Sequence, residues 1–347
     1  MPKTAIFKDD LFLEHRPGPG HPESPERLTG IYQVLREPAL RERFLFPSFP
    51  PAGRELLALN HTPAHIDRVA ATAGKPMAVL DPDTTTSPRS YEAACLAAGA
   101  CVEGVRLLLA GEIDNGFALV RPPGHHAEAT HTSGFCLFNN IAIAARYALA
   151  RHGLSRVLIA DWDLHHGNGT QHAFEETDQV LYFSTHQYPY FPGTGSFLET
   201  GAGQGEGYTV NVPLHGGQGD GDYARLFREL LAPIARQYRP ELILASAGFD
   251  IFGGDPLGTM RVTPAGFAYM TRVLRELAAE LCGGRLLLVL EGGYHLQGLT
   301  ASALAVLAEL SGAGGLDAAA ARELAAASAP LPALNQAREV QKNYWTL

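Results

Sequence analysis

Two carboxylates and two imidazoles crowd the stretch Asp161-Trp162-Asp163-Leu164-His165-His166-Gly167. It follows the apolar run Val157-Leu158-Ile159-Ala160, which has the pattern of a buried strand. Side chains at i and i+2 of an extended segment point the same way, so Asp163 and His165 can grip one metal ion together. Asp161 shares their parity but sits deeper, where a buried carboxylate needs a cation or a strong donor.

Asp255, in Gly253-Gly254-Asp255-Pro256, is the candidate third ligand. One imidazole and two carboxylates would leave a coordination position open for water or substrate, as catalytic zinc requires. Asp between Gly and Pro is also ordinary turn chemistry, and that reading of Asp255 stands beside the first. A second cluster, His125-His126, follows Arg121-Pro122-Pro123-Gly124. Water on zinc has its pKa lowered from about 15.7 toward about 7, and a nearby imidazole can take its proton. A tandem pair lets one His act as base and the other as its electrostatic partner, with Asp161 and Asn168 as candidate acceptors behind them. Ligation or hydrogen bonding without proton transfer is the alternative. Tyr294, after Glu291-Gly292-Gly293, can donate its hydroxyl to a developing oxyanion, although packing is the commoner fate of a lone Tyr. Phe135 and Phe191 are candidate walls of a narrow channel, against a default reading as core. The glycine-rich stretch 201–207 lacks the strand-to-helix setting of a phosphate loop and reads as a plain loop.

Short apolar runs at 117–120, 157–160, 180–184, 208–212, 242–247 and 286–290 read as strands, and 90–109, 141–152, 223–238 and 264–282 as helices. Their alternation predicts an α/β chain with a parallel sheet covered on both faces. The His pair, the 161–165 cluster, Asp250 with Asp255, and Tyr294 each follow one of these strands. In open parallel sheets ligands bind beyond the carboxyl ends of the strands, so these loops can converge on one site. No linker or repeat divides the 347 residues, which predicts a single domain over 1–347 with a helical tail from 300 to 347. Within that tail the Ala-rich 316–327 reads as a surface helix.

A hydrophobic fraction of 46% against 18% charged residues is enough for a substantial core. The net charge of −9, with no Lys/Arg run, argues against nucleic acid as a direct partner. The four cysteines show no CxxC pairing, which predicts a reducing, cytoplasmic setting. The N-terminus has no signal-peptide core, and no run approaches the roughly 20 apolar residues of a membrane span.

Taken in order, seven pieces resemble the histone deacetylase superfamily, in particular its class II-like branch with bacterial histone deacetylases and acetylpolyamine amidohydrolases. They are His21-Pro22-Glu23-Ser24-Pro25-Glu26-Arg27-Leu28, Arg121 to His126, Gly134-Phe135-Cys136-Leu137-Phe138-Asn139-Asn140, Asp161 to Thr170, Phe191-Pro192-Gly193-Thr194-Gly195, Gly248 to Pro256, and Glu291 to Tyr294. The resemblance covers about residues 15–300. It implies the three-layer arginase/deacetylase fold, an eight-stranded parallel sheet flanked by helices. It implies one Zn²⁺ on Asp163, His165 and Asp255, with His126 as general base and then acid, His125 as its electrostatic partner, and Tyr294 polarising an amide carbonyl. Phe135 and Phe191 would line an acyl-lysine tunnel flanked by Gly134 and Gly293, and Asp83 aligns with a rim carboxylate that holds the substrate backbone. A structural K⁺ would sit on Asp161, Asp163, His165, Ser184 and Thr185, and a second near Phe174, Thr177, Val180 and Tyr208.

Departures refine the resemblance. Asn168 stands where class I members carry Asp, which leaves His126 a neutral partner. Tyr294 is retained where some class IIa relatives have His, and His295 stands where Asn is usual. Polyamine-specific relatives place an acidic gatekeeper seven residues after the last zinc ligand; Val262 holds that position here. The reaction expected is hydrolysis of an N-acyl amide, with N-acetyl-lysine of a protein or peptide the leading substrate. A deacylase of small acetylated amines or polyamines is the alternative. An arginase-like ureohydrolase with two Mn²⁺ would need more bridging carboxylates than this cluster offers, and a non-catalytic acyl-lysine binder would not need the His pair and Tyr294. Homo-oligomerisation is left open.

Overall fold

The computed structural model describes residues 2–327 and 329–347. Its strands are β1 (Thr4–Phe7), β2 (Ala78–Asp81), β3 (Thr84–Thr86), β4 (Asn115–Ala118), β5 (Val157–Asp161), β6 (Val180–Gln187), β7 (Thr209–Leu214), β8 (Leu242–Ala247) and β9 (Leu286–Leu290). Seven of them form one sheet in the order β1-β4-β9-β8-β5-β6-β7, with every neighbouring pair parallel. The remaining two, β2 and β3, make a separate antiparallel hairpin. The main sheet is thus one strand short of the eight the resemblance implies. β1 escapes the apolar-run reading because only four residues pair, and Thr4 opens them.

β5, β8 and β9 are buried along their whole length, as strands covered on both faces must be. Helices Ser90–Leu109, Asn140–His152, Pro264–Cys282 and Leu296–Ser311 supply buried faces to the same core. The predicted helix 223–238 forms as Asp220–Leu226, a π-turn at Phe227–Leu231, and Ala232–Tyr238. Pro233 has no N–H to give the Glu229 carbonyl, so the ladder opens there. Arg338, from the tail helix Pro332–Gln341, donates to that carbonyl at 3.0 Å instead. The same tail covers the edge strand β7: Gln341 Nε2 donates to the Thr209 carbonyl at 3.2 Å. The Ala-rich helix forms as Ala318–Ala325, capped by the Asp317 carboxylate.

β4, β9, β8 and β5 are consecutive in the sheet. Each is followed by one of the four polar clusters, so their carboxyl ends deliver those clusters to one place.

Candidate active site

At the end of β5, Asp161 Oδ1 accepts the Asp163 N–H at 3.0 Å, and Asp163 Oδ1 accepts the His165 N–H at 2.9 Å. These two turns aim Asp163 and His165 to one side. From β8, Asp250 Oδ1 accepts the Leu164 N–H at 2.8 Å. The His165 Nδ1 atom lies 3.2 Å from Asp163 Oδ1 and 3.1 Å from Asp250 Oδ2. Asp163, His165 and Asp250 are buried, with one potential ligand atom of each inside a 4.8 Å cluster. Asp255, the third ligand expected from the sequence, is also buried, but its contacts are to backbone. Its Oδ2 accepts the N–H groups of Tyr294 at 2.7 Å and His295 at 3.0 Å, and its Oδ1 that of Leu257 at 3.0 Å. The turn carrying Tyr294 is thereby fixed by Asp255.

The charge balance of this cluster asks for a cation. Burial alone would lower the His165 imidazole, but its bonds to Asp163 and Asp250 prevail and push it up to about 9. Burial and the Asp163 charge push Asp250 up to about 7. Burial opposes ionisation of Asp163 too, yet His125 and His165 hold its carboxyl well below the usual range. Carboxylates that outnumber their cations and recruit protons are the donor set a divalent metal fits.

The His pair sits on the turn after β4. Glu291, from β9, accepts the N–H groups of Gly124 at 2.7 Å and His125 at 3.2 Å, while Ser246 donates to its other oxygen at 3.0 Å. His125 Nδ1 lies 3.1 Å from Asp161 Oδ2, which also accepts the Tyr182 hydroxyl at 3.1 Å. Burial would lower His125, but Asp163, Asp161 and Glu291 push it up to about 10. Burial and the neighbouring His125 and His165 drive His126 well below its ordinary value. Two adjacent imidazoles are thus split into a charged one and a neutral one. The neutral His126 presents its Nδ1 to Asn168 Oδ1 at 2.8 Å.

The first motif, His21 to Arg27, proves to be a clamp. Buried Glu23 accepts from Arg27 at 2.9 Å and from Arg121 at 2.5 and 2.7 Å. Arg27 also donates to the carbonyls of Gly293, at 2.7 Å, and Glu291. Its guanidinium lies 5.0 Å from the centre of the Tyr294 ring. Burial keeps the Tyr294 phenol well above its usual value, so the hydroxyl remains a donor.

A family model described as the histone deacetylase domain matches residues 21–310. The chain belongs to the histone deacetylase family. Histone deacetylase 15 of Arabidopsis thaliana is 44% identical over 323 residues, 89% of this chain and 57% of that protein. Polyamine deacetylase HDAC10 of Homo sapiens is 42% identical over 329 residues, 90% of this chain and 47% of that protein. The chain therefore spans about half the length of these two relatives. The crystal structure of the HDA15 HD domain superposes with a TM-score of 0.90 at 40% identity, covering 99% of this chain and 95% of that one.

In this histone deacetylase family member a cavity of about 160 Å³ opens onto the cluster. It is lined by His125, His126, Asp163, His165 and Tyr294, and by the expected channel residues Asp83, Gly134, Phe135 and Phe191. Gly134 is required there: at φ +55 a Cβ would fall 2.4 Å from the His126 ring. Phe135 holds a left-handed φ of 69°, rare for a bulky residue, with its N–H on Thr84 Oγ1 at 3.0 Å. Two expected channel residues lie elsewhere. Val262 is fully buried, bridged to Phe252, and Leu257 takes the wall instead. Gly293 faces Phe249, where a Cβ would sit 2.7 Å from the Phe249 Cβ, and Gly292 lines the cavity. Sequence reading gave no role to Asp250, Glu291 or Arg27. Each sits in a quoted motif, but nothing local tells which backbone groups its side chain will meet.

Around the expected potassium positions, β5 and β6 set Asp161 opposite Ser184 in register. Ser184 Oγ is 2.9 Å from His186 Nδ1, and the buried Thr185 hydroxyl has no hydrogen-bond partner among the described residues. At the other end of β6, near Val180, the Phe174 carbonyl accepts from Thr177 at 3.1 Å and the Tyr208 carbonyl from Tyr182 at 2.9 Å. No helix among the described residues is long and apolar enough to cross a membrane.

Proposed function

We propose that this chain is a metal-dependent deacetylase acting on N-acetyl-lysine in a protein or peptide. The observation that carries the reading is a narrow cavity ending on Asp163 and His165, with His126 and Tyr294 on its walls. A divalent metal, Zn²⁺ in our assignment, supplies a Lewis acid and a water acidified from about 15.7 toward about 7. Asp163, His165 and Asp255 would hold it. Asp250, whose oxygens meet the Leu164 N–H and the same His165 Nδ1 that Asp163 meets, would help to place that ring. His126 accepts the proton of the attacking water at Nε2 and returns it to the leaving amine. His125, kept charged by Asp161 and Asp163, holds the neighbouring His126 neutral and ready to accept, and its positive charge favours the anion that develops in the cavity. Tyr294 donates its hydroxyl to the carbonyl oxygen as that oxygen becomes an anion. Phe135 and Phe191 flank the acyl-lysine stem, and the Asp83 rim carboxylate is suited to a substrate N–H. The K⁺ assignments, Asp161, Asp163, His165, Ser184 and Thr185 for one ion and Phe174, Thr177, Val180 and Tyr208 for another, belong to the same proposal. So does a single catalytic domain in a cytoplasmic setting.

A second reading, deacylation of small acetylated amines, is favoured by Asp83 at the cavity, whose carboxylate could also meet an ammonium. The likeness to a polyamine deacetylase supports it as well. Rates of the Zn²⁺-loaded protein on an acetyl-lysine peptide and on acetylputrescine, with and without chelator, separate the two. Chelator-sensitive turnover favouring the peptide is expected; no turnover of either would overturn the proposed function.

A further inference from the structure

To accept a proton at Nε2, His126 must carry its own proton on Nδ1. That nitrogen faces Asn168 Oδ1 at 2.8 Å. An amide alone does not fix the choice. Turned over, Asn168 would offer its NH₂ to Nδ1 and favour the opposite tautomer, which has no lone pair at Nε2. A third side chain removes that freedom. Asn168 Nδ2 donates to Glu128 Oε1 at 2.6 Å, and an ionised carboxylate can only accept. His172 Nδ1 donates to the same oxygen at 2.9 Å. Asn168 and His172 are four residues apart on the helix Asn168–Phe174, so both reach Glu128 from one face. Burial pushes the Glu128 carboxyl up, but the hydrogen bond and charge of His172 and the Asn168 bond outweigh it and hold it below its ordinary value.

We propose that Glu128 is a positioning residue that fixes the tautomer of His126 through Asn168. This deepens the proposed function, resting on His126 as proton acceptor. The carboxylate orders the amide, and the amide orders the imidazole. An acceptor-only residue at 168 would need no such partner; an amide does. The chain acts by orientation and not as a proton wire, because the Asn168 NH₂ is a donor with no proton-accepting lone pair to spare.

The backbone at 128 is held independently of this side chain. Its N–H donates to His131 O at 3.0 Å, and its carbonyl meets His61 Nδ1 at 2.9 Å. Glu128→Ala should therefore fold. The test compares the metal-loaded wild type with Glu128→Ala, Asn168→Asp and the double variant. Nitrogen NMR of the His126 ring reads which nitrogen bears hydrogen, beside turnover of an acetyl-lysine peptide. The wild type should show Nδ1–H. Glu128→Ala should show both tautomers, with kcat down at least about 10-fold and KM little changed; the ceiling is the roughly 10⁴-fold loss of a catalytic His held in the wrong tautomer. In the double variant the carboxylate placed at position 168 can only accept, so Nδ1–H and most of kcat should return. Asn168→Asp alone sets two carboxylates face to face and should be slower than the double variant. An unchanged tautomer in Glu128→Ala, or a double variant no better than Glu128→Ala, would overturn the proposal. Should the wild type turn over no acyl amide, the proposed function falls, while the ring-nitrogen measurement still decides the role of Glu128.

Discussion

Arg27 Nε donates to the Gly293 carbonyl at 2.7 Å across 266 residues of sequence. This bond, with the second to Glu291, ties the helix Glu26–Val34 to the turn that carries Tyr294. Arg27→Ala would leave both carbonyls buried without that donor, although Glu23 would keep Arg121. A loss of about 3 kcal/mol is expected, the low end for breaking a buried pair. Turnover should fall roughly 10²-fold, as for a reacting group misplaced by about 1 Å. Denaturant titration and steady-state rates check the two parts, and unaltered turnover would remove Arg27 from any role in placing Tyr294.

Tyr294→Phe keeps the ring that packs 6.1 Å from Phe135 and under Arg27, so it removes the hydroxyl alone. His126→Ala removes the proton acceptor. Each should cut kcat by roughly 10²–10⁴-fold with the fold intact by circular dichroism. Near-normal rates in both variants would defeat the mechanism.

What could be read from the sequence was whatever short-range pattern fixes. Val157 to Asp161, Leu242 to Ala247 and Leu286 to Leu290 announce themselves as fully buried strands, and the residues just past them must lie at the sheet's carboxyl edge. That places Asp163, His165, His126 and Tyr294 around one cavity. Contacts made across the chain were not readable. Glu291 looks like part of a glycine turn until its carboxylate is seen holding the N–H groups of Gly124 and His125. Asp250 and Asp255 share one loop, and only the tertiary partners give the first the His165 ring and the second the Tyr294 backbone. Val262 fails as a channel residue because the chain turns back at Phe252 to bridge it, which no local count of residues reveals.

Metal binding should depend on pH in a defined direction. Without metal, His165 holds its proton up to about pH 9 and Asp250 to about 7, and a ligand nitrogen must shed that proton to bind. Affinity should therefore rise from pH 6 toward pH 9, with protons released on binding. Calorimetry in buffers of different ionisation heat measures the release. Asp255→Ala should abolish tight binding, whereas Asp250→Ala should weaken it by about 10–100-fold, as loss of a group that orients a ligand does. Affinity flat across this range, or tight binding retained in Asp255→Ala, would refute these assignments.

Substrate preference should respond at Leu257 and not at Val262. Leu257 lines the cavity, so Leu257→Glu sets a carboxylate where a substrate's free ammonium would pass. The ratio of acetylputrescine to peptide turnover should rise about 10-fold, the effect of 1.4 kcal/mol from one added charge pair. Val262 is fully buried. Val262→Glu would place a carboxylate among apolar side chains with no partner, at a cost of several kcal/mol, and should show as lost thermal stability with no gain for the small amine. The pair of variants separates position in sequence from position in space. A stable Val262→Glu protein that prefers acetylputrescine would mean that the segment after Asp255 opens in solution and brings residue 262 to the channel.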